Sequence, residues 1–220
     1  MDRMLEETAG VAGRTGIEVV PTGGPLGADI VGLNFADPSP EDIETVRQAW
    51  LRHGVLRFRG YEFSDEDHLR FTAHFGDFVL HPRQLVGEEG AHPQHERILV
   101  IANAKKDGKI IGTMGNAEAR WHSDTYIKER PPAAALLHAL KIPPTGGNTY
   151  FCNMYAVYDD LPRWLKRILE GRFIQLDLVY DGPGRVRKGM TVPDHEDYRR
   201  WPAIRHPIIR THGESGRNCL

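Results

Sequence analysis

Two rhythms of apolar and polar positions run along the chain. In "SPEDIETVRQAWLRHG", residues 39–54, Ile43, Val46 and Trp50 recur at helical spacing and predict a helix with one apolar face. Ser39 suits the cap, Pro40 the first turn, Asp42 the capping box and Gly54 the stop. "SDEDHLRFTAHFG", 64–76, repeats the grammar, with Ser64 as cap, Asp67 three residues on and Gly76 as stop. Ahead of these helices, "IEVVPTGGPLGADIVGLNF" reads as two short strands around a Gly/Pro turn, and "VLRFRG", 55–60, as a strand between the helices. Beyond residue 76 the rhythm turns strand-like: 98–103, 120–127, 132–142, 149–153, 173–180 and 206–212, interrupted by one more helix near 160–171. Capped helices followed by many strands predict an α+β chain on an antiparallel β core, which either a sandwich or a jelly roll would satisfy.

Composition narrows the class. With 220 residues, 40% hydrophobic and 26% charged, the chain is long enough for one domain with a substantial core. A net charge of -2 argues against binding driven by nucleic-acid phosphates. No apolar run approaches a bilayer span, and "MDRMLEETAG" lacks the apolar segment of a secretory signal, so the expected location is cytoplasmic. Cys152 and Cys219 stand far apart without a CxxC pattern, which suggests neither a zinc knuckle nor a disulfide framework. "TGGPLGAD" is glycine-rich but lacks the Gly-Lys-Ser/Thr ending of a phosphate loop, so it reads as a turn.

Histidines paired with acids are the candidate chemistry. With 11 His and 30 acidic residues in 220 positions, chance alone yields roughly 1.5 His-x-acid matches. The chain holds three: His122-Ser-Asp124, His195-Glu-Asp197 and His212-Gly-Glu214. Context separates them. On a strand, residues two apart share a face, so His122 and Asp124 would project together, as a 2-His-1-carboxylate iron site requires of two neighbouring ligands. A strand-end Asp bonded to a nearby histidine is the bland alternative. His195 sits in the charged run "TVPDHEDYRRW" and His212 in the glycine-marked "THGESGR", so both read as loops. "HPQH", 92–95, also reads as a loop because of Pro93.

The run "WHSDTYIKERPPAAALLHALKIPPTGGNTYFCNMYAVYDDLP", 121–162, resembles the taurine dioxygenase/2,4-D dioxygenase (TauD/TfdA) family of Fe(II)- and 2-oxoglutarate-dependent oxygenases. "HGVLRFRG", "FGDFVLHP" and "HPIIRTHGESGRNCL" extend the likeness over most of 17–220, with Asn148 where the family more often has Asp. The resemblance implies a double-stranded β-helix (jelly roll) core with flanking helices, preceded by an N-terminal tail over 1–16. It also implies that His122 and Asp124 bind Fe(II), that Thr149 helps hold the distal carboxylate of 2-oxoglutarate, and that His81 contacts an acidic substrate. Gln84 replaces the tyrosine of taurine-type members, which speaks against taurine itself. The implied activity is hydroxylation of a small acidic organic substrate, such as a sulfonate, alkyl sulfate or aryloxyalkanoate. Dioxygen and 2-oxoglutarate are consumed, and succinate and carbon dioxide are released. Loops 83–97 and 104–119 would shape selectivity, the second of them as a lid or as an ordinary surface loop.

The family places its second iron histidine and its oxoglutarate-binding arginine downstream of the region matching "HPIIRTH". The expectation is therefore a C-terminally incomplete jelly roll whose missing strands leave exposed edges that encourage self-association. His206 and His212 are the late histidines that remain as substitutes for the third ligand, although both match positions that are not ligands in relatives. The alternative expectation is a truncated non-catalytic relative that binds a small acid or a protein partner. A metal-independent β-sandwich binding module would require the resemblance to be accidental.

Overall fold

The computed structural model describes residues 16–80, 92, 94–110, 112–114, 121–180, 184, 186–187 and 189–220. β1 (Glu18–Pro21) and β2 (Ala28–Val31) form the expected antiparallel hairpin, Glu18 facing Val31 and Pro21 facing Ala28. α1 (Pro40–His53) then returns the chain so that β3 (Leu56–Arg57) lies parallel to β2, giving a sheet of order β1-β2-β3.

Both capping boxes form. Ser39 Oγ accepts the Asp42 N–H at 3.1 Å while Asp42 Oδ2 accepts the Ser39 N–H at 3.0 Å. α2 (Asp65–Ala73) starts the same way, the Ser64–Asp67 bonds measuring 3.1 Å in each direction. Gly54 ends α1 with φ 72°, its N–H bonded to Trp50 O. α2 stops short of Gly76 because the His74 and Phe75 amides bond three residues back, to Phe71 O and Thr72 O, which tightens the last turn.

The apolar faces of these elements meet in one core: Ile17, Ile30, Leu33, Phe35, Val46, Ala49 and Phe71. Phe35 is its hub, with the rings of Tyr61, Phe63 and Phe71 centred 4.7–4.9 Å away. Ring centres at that distance sit in the favourable range for aromatic pairs. Val46 and Ile43 reach this core as the helical spacing predicted, while Trp50 meets Phe75 edge-on.

The second half departs further from the expected strands. The predicted strand 98–103 contributes only β4 (Ile101–Ala102), which pairs in parallel with β7 (Thr113–Met114). Between them β5 (Lys105–Lys106) and β6 (Lys109–Ile110) form a hairpin turned by Asp107 and Gly108, both with positive φ. Two pairings, β2 with β3 and β4 with β7, are parallel beside the antiparallel ones that the sequence suggests. Residues 121–153 contain no strand among the described residues, against the prediction for 120–127, 132–142 and 149–153. Alternation supplies a face, but a strand also needs a neighbour's N–H and C=O groups, and among the described residues no ladder reaches this run. Leu137, Leu140, Ile142 and Tyr150 remain 70–81% exposed as a result.

Helices return at α3 (Met154–Asp160), capped by Asn153, and α4 (Arg163–Leu169), which starts after Pro162 within the helix predicted near 160–171. β8 (Phe173–Asp177) follows as expected and pairs antiparallel with β9 (Ala203–Pro207), Ile174 facing His206. β10 (Arg210–Thr211) and β11 (Asn218–Cys219) close a last hairpin, so the predicted strand 206–212 is split between β9 and β10. The described ladders are one three-stranded sheet and four two-stranded ones, a mixed helix-and-strand architecture as the α+β reading expects.

Candidate metal centre

His122 and Asp124 come together, though not by the route the spacing suggested. They lie on irregular backbone entering a turn over 124–127 rather than on a strand. Thr125 adopts φ 53°, a left-handed conformation that β-branched residues rarely take, and the Lys128 N–H closes the turn on Thr125 O at 3.1 Å. From the far side, His206 Nε2 donates to Tyr126 O at 2.9 Å. The turn leaves His122 Nε2 3.2 Å from Asp124 Oδ1, with 46% of one side chain and 63% of the other exposed.

That separation tests whether the pair suits a metal ion. Adjacent N and O ligands, each about 2.1 Å from a six-coordinate ion, stand about 3 Å apart. The pair meets this spacing without a rotamer change. An imidazole nitrogen beside a carboxylate oxygen is also the donor set of an iron(II) facial triad with one member still to come.

Thr149 sits on an exposed run after Gly146 and Gly147, whose φ values of 76° and 67° turn the chain just before it. The structure thus joins His122 to Asp124 directly and leaves Thr149 on a separate segment. His81, the predicted substrate contact, lies outside the described residues, as does Gln84. The two other His-x-acid pairs take structural roles, as their context implied. Asp197 caps a 3₁₀ turn at Tyr198–Arg200, and the Arg199 guanidinium beside it holds its carboxyl below the usual carboxylate range. His195 O accepts the Trp201 indole N–H, and His212 Nδ1 accepts the Ser215 amide within the last hairpin.

One cluster escaped the sequence reading. Asp65 at the start of α2 meets His92 and His95, with ligand atoms within 4.8 Å of one another. The His-x-x-His spacing of "HPQH" was the available signal, and only the fold reveals its acidic partner on α2. His92 Nε2 is 3.0 Å from Asp65 Oδ2, and His95 Nε2 is 3.3 Å from Glu66 Oε1. His92 Nδ1 meanwhile accepts the amides of Gln94 and His95 at 3.2 and 3.1 Å. Those two donors keep the ring proton on Nε2, where Asp65 receives it. A metal at Nε2 would drive that proton onto Nδ1, facing two N–H groups. The residues are of ligand type, but as arranged they tether the loop to α2.

An imidazole beside a carboxylate on an exposed turn, carried by a mixed α and β framework, is a donor pair of metal-ligand type. Known proteins sharpen that picture. The chain is 30% identical over 192 residues to the alpha-ketoglutarate-dependent 2,4-dichlorophenoxyacetate dioxygenase of Burkholderia sp. (strain RASC), covering 83% of this chain and 62% of that protein. Against the alpha-ketoglutarate-dependent sulfate ester dioxygenase of Pseudomonas putida it is 26% identical over 213 residues, covering 93% and 65%. The crystal structure of a taurine dioxygenase from Burkholderia xenovorans superposes with a TM-score of 0.70 at 25% identity, over 93% of this chain and 62% of that one. The match to the family model "Taurine catabolism dioxygenase TauD, TfdA family" runs over residues 18–220, and the chain belongs to that family. It spans a little under two thirds of the length of these relatives.

Proposed function

We propose that this chain serves an Fe(II)- and 2-oxoglutarate-dependent dioxygenase that oxidises a small acidic organic molecule, with His122 and Asp124 as two of its iron ligands. The observation that carries this reading is the 3.2 Å approach of His122 Nε2 to Asp124 Oδ1 on a turn open to solvent. Both names among the relatives point the same way, since one protein acts on an aryloxyalkanoate and the other on a sulfate ester. The domain is read as a single jelly-roll unit over 17–220, in keeping with the likeness to the taurine dioxygenase structure.

Bound iron supplies the activation of dioxygen that couples decarboxylation of the keto acid to oxidation of a substrate C–H bond. The chain's own residues do the rest. His122 would offer Nε2 and Asp124 Oδ1 to the ion from a single turn, the two atoms already 3.2 Å apart. Thr149 offers a hydroxyl to the distal carboxylate of 2-oxoglutarate, and His81 offers an imidazole to the acidic substrate.

An anaerobic titration with Fe(II) and 2-oxoglutarate, followed by visible absorption, tests the reading. A charge-transfer band that is lost in His122→Ala is expected. Folded protein that gives no band, or an equal band in the variant, overturns it. The first of those results favours the alternative of a non-catalytic relative that binds a small acid or a partner.

A further inference from the structure

We propose that His206 is a positioning residue for the His122/Asp124 pair, acting through the Tyr126 carbonyl; this rests on reading that pair as metal ligands. His206 entered as a candidate third ligand, and the structure gives its Nε2 a different task. That nitrogen lies 2.9 Å from Tyr126 O, across a sequence separation of 80 residues. A carbonyl oxygen only accepts, so Nε2 carries the proton and has no lone pair to offer a metal.

The contact has a rigid origin. β9 pairs with β8 through five facing residues, and the Leu178 and Ile208 amides extend the ladder at its two ends, to Pro202 O and Arg172 O. Gln175 Oε1 accepts two bonds from the Arg205 guanidinium, at 3.0 and 3.2 Å, and braces the face of the hairpin opposite His206. His206, half-buried beside Ile204 on its own face, therefore projects from a braced strand.

The receiving end is the opposite in character. Tyr126 follows Thr125, whose φ of 53° is an uphill conformation for a β-branched residue. A turn of that kind persists only where its surroundings hold it. The Lys128–Thr125 bond is local to the turn, whereas the His206 bond reaches it from 80 residues along the chain. Releasing Tyr126 O lets Thr125 return to ordinary backbone angles, which swings Asp124 away from His122. Support of this kind, one step removed from a ligand, typically changes metal affinity by about 10–100-fold.

The test uses the whole chain with His206→Leu, His206→Gln and His122→Ala. Glutamine keeps an N–H donor at about the reach of Nε2, whereas leucine keeps only bulk. In the metal-free chain, amide hydrogen exchange at Lys128 is expected to speed up about tenfold in His206→Leu and to stay near wild type in His206→Gln. Mn²⁺ affinity, read by electron paramagnetic resonance, is expected to drop about tenfold in His206→Leu, to recover in His206→Gln and to vanish in His122→Ala. Unchanged exchange in His206→Leu, or a glutamine variant no better than leucine, overturns the proposal. Loss of Mn²⁺ in His122→Ala with full affinity in His206→Leu overturns the positioning role alone. Equal Mn²⁺ behaviour in wild type and His122→Ala overturns both the role and the ligand reading beneath it.

Discussion

His68 is expected to contribute to the response of this fold to mild acid. Burial holds its pKa below the ordinary 6.5, the neighbouring His138 lowers it further, and Asp65 and the Leu136 carbonyl pull the other way. A base whose folded pKa is depressed binds its proton more readily when unfolded. Its stabilisation is therefore complete above about 6.5 and is lost as the pH falls through the folded value. His53, lowered by burial and then by Arg52, adds in the same direction. Asp29, Glu66 and Asp67 also have lowered values, but theirs begin from 3.8 to 4.5, so their loss falls in a separate and more acidic window. Urea unfolding at pH values between about 7.5 and 5.5 should thus show falling stability, with a shallower slope in His68→Leu. An equal slope in the variant would rule His68 out as the source. Gly32 is a second decisive residue. At φ 84°, a Cβ there would lie 2.8 Å from Gly16 O, so Gly32→Ala is strained in backbone and in space alike. Its thermal midpoint should drop by several degrees, and a midpoint equal to wild type would contradict the packing described. At this scale a meeting of His122 and Asp124 was legible, because either reading of the pair, as ligands or as a bonded Asp and His, brings the two together. The turn that brings them together was not legible, because it rests on a left-handed Thr125 and carries a bond from His206, far along the chain.

Elements were legible in proportion to how local their causes are. The Ser39 and Ser64 boxes reach across three residues, and both formed as read. Removing the cap hydroxyl in Ser39→Ala should cost about 1 kcal/mol, with Ser39→Asp close to neutral, as measured by denaturant midpoint at unchanged slope. A loss shared equally by the aspartate variant would show that the hydroxyl's own environment, rather than capping, is what matters. Strands gave the opposite lesson. β8 found β9 over five facing residues, although Phe173 and Ile174 are both exposed and burial does not alternate along it. The run 132–142 has apolar residues of similar quality but no ladder partner among the described residues, and it stays irregular. The start of α3 was not legible from spacing, because its signal, Asn153 with two amides on its side chain, ends the run 149–153 whose β-branched and aromatic residues read as strand.

At the scale of the molecule, buried apolar side chains concentrate in the first third of the chain. The core runs from Ile17 to Phe71, and Leu136 is the distant residue packed against it. Phe71, 1% exposed and ringed by Phe35, Phe58 and Phe75, should cost about 3–5 kcal/mol when cut to alanine. Calorimetry would check this, and a loss below about 1 kcal/mol would mean that the core collapses around the gap. The chain's family was legible from one run of about forty residues, whereas the pairing that supports this run comes from β8 and β9, which the sequence places well downstream.

The separation between that early core and the later turn bearing His122 and Asp124 bears on inheritance. Leu136 packs against that core and His138 stacks on Phe63 with ring centres 4.0 Å apart, so changes elsewhere in 122–151 are the ones a lineage can accept while the proportion of molecules that fold stays nearly constant. Relatives at 26–30% identity that act on an aryloxyalkanoate and on a sulfate ester are the spread of substrates such tolerance permits.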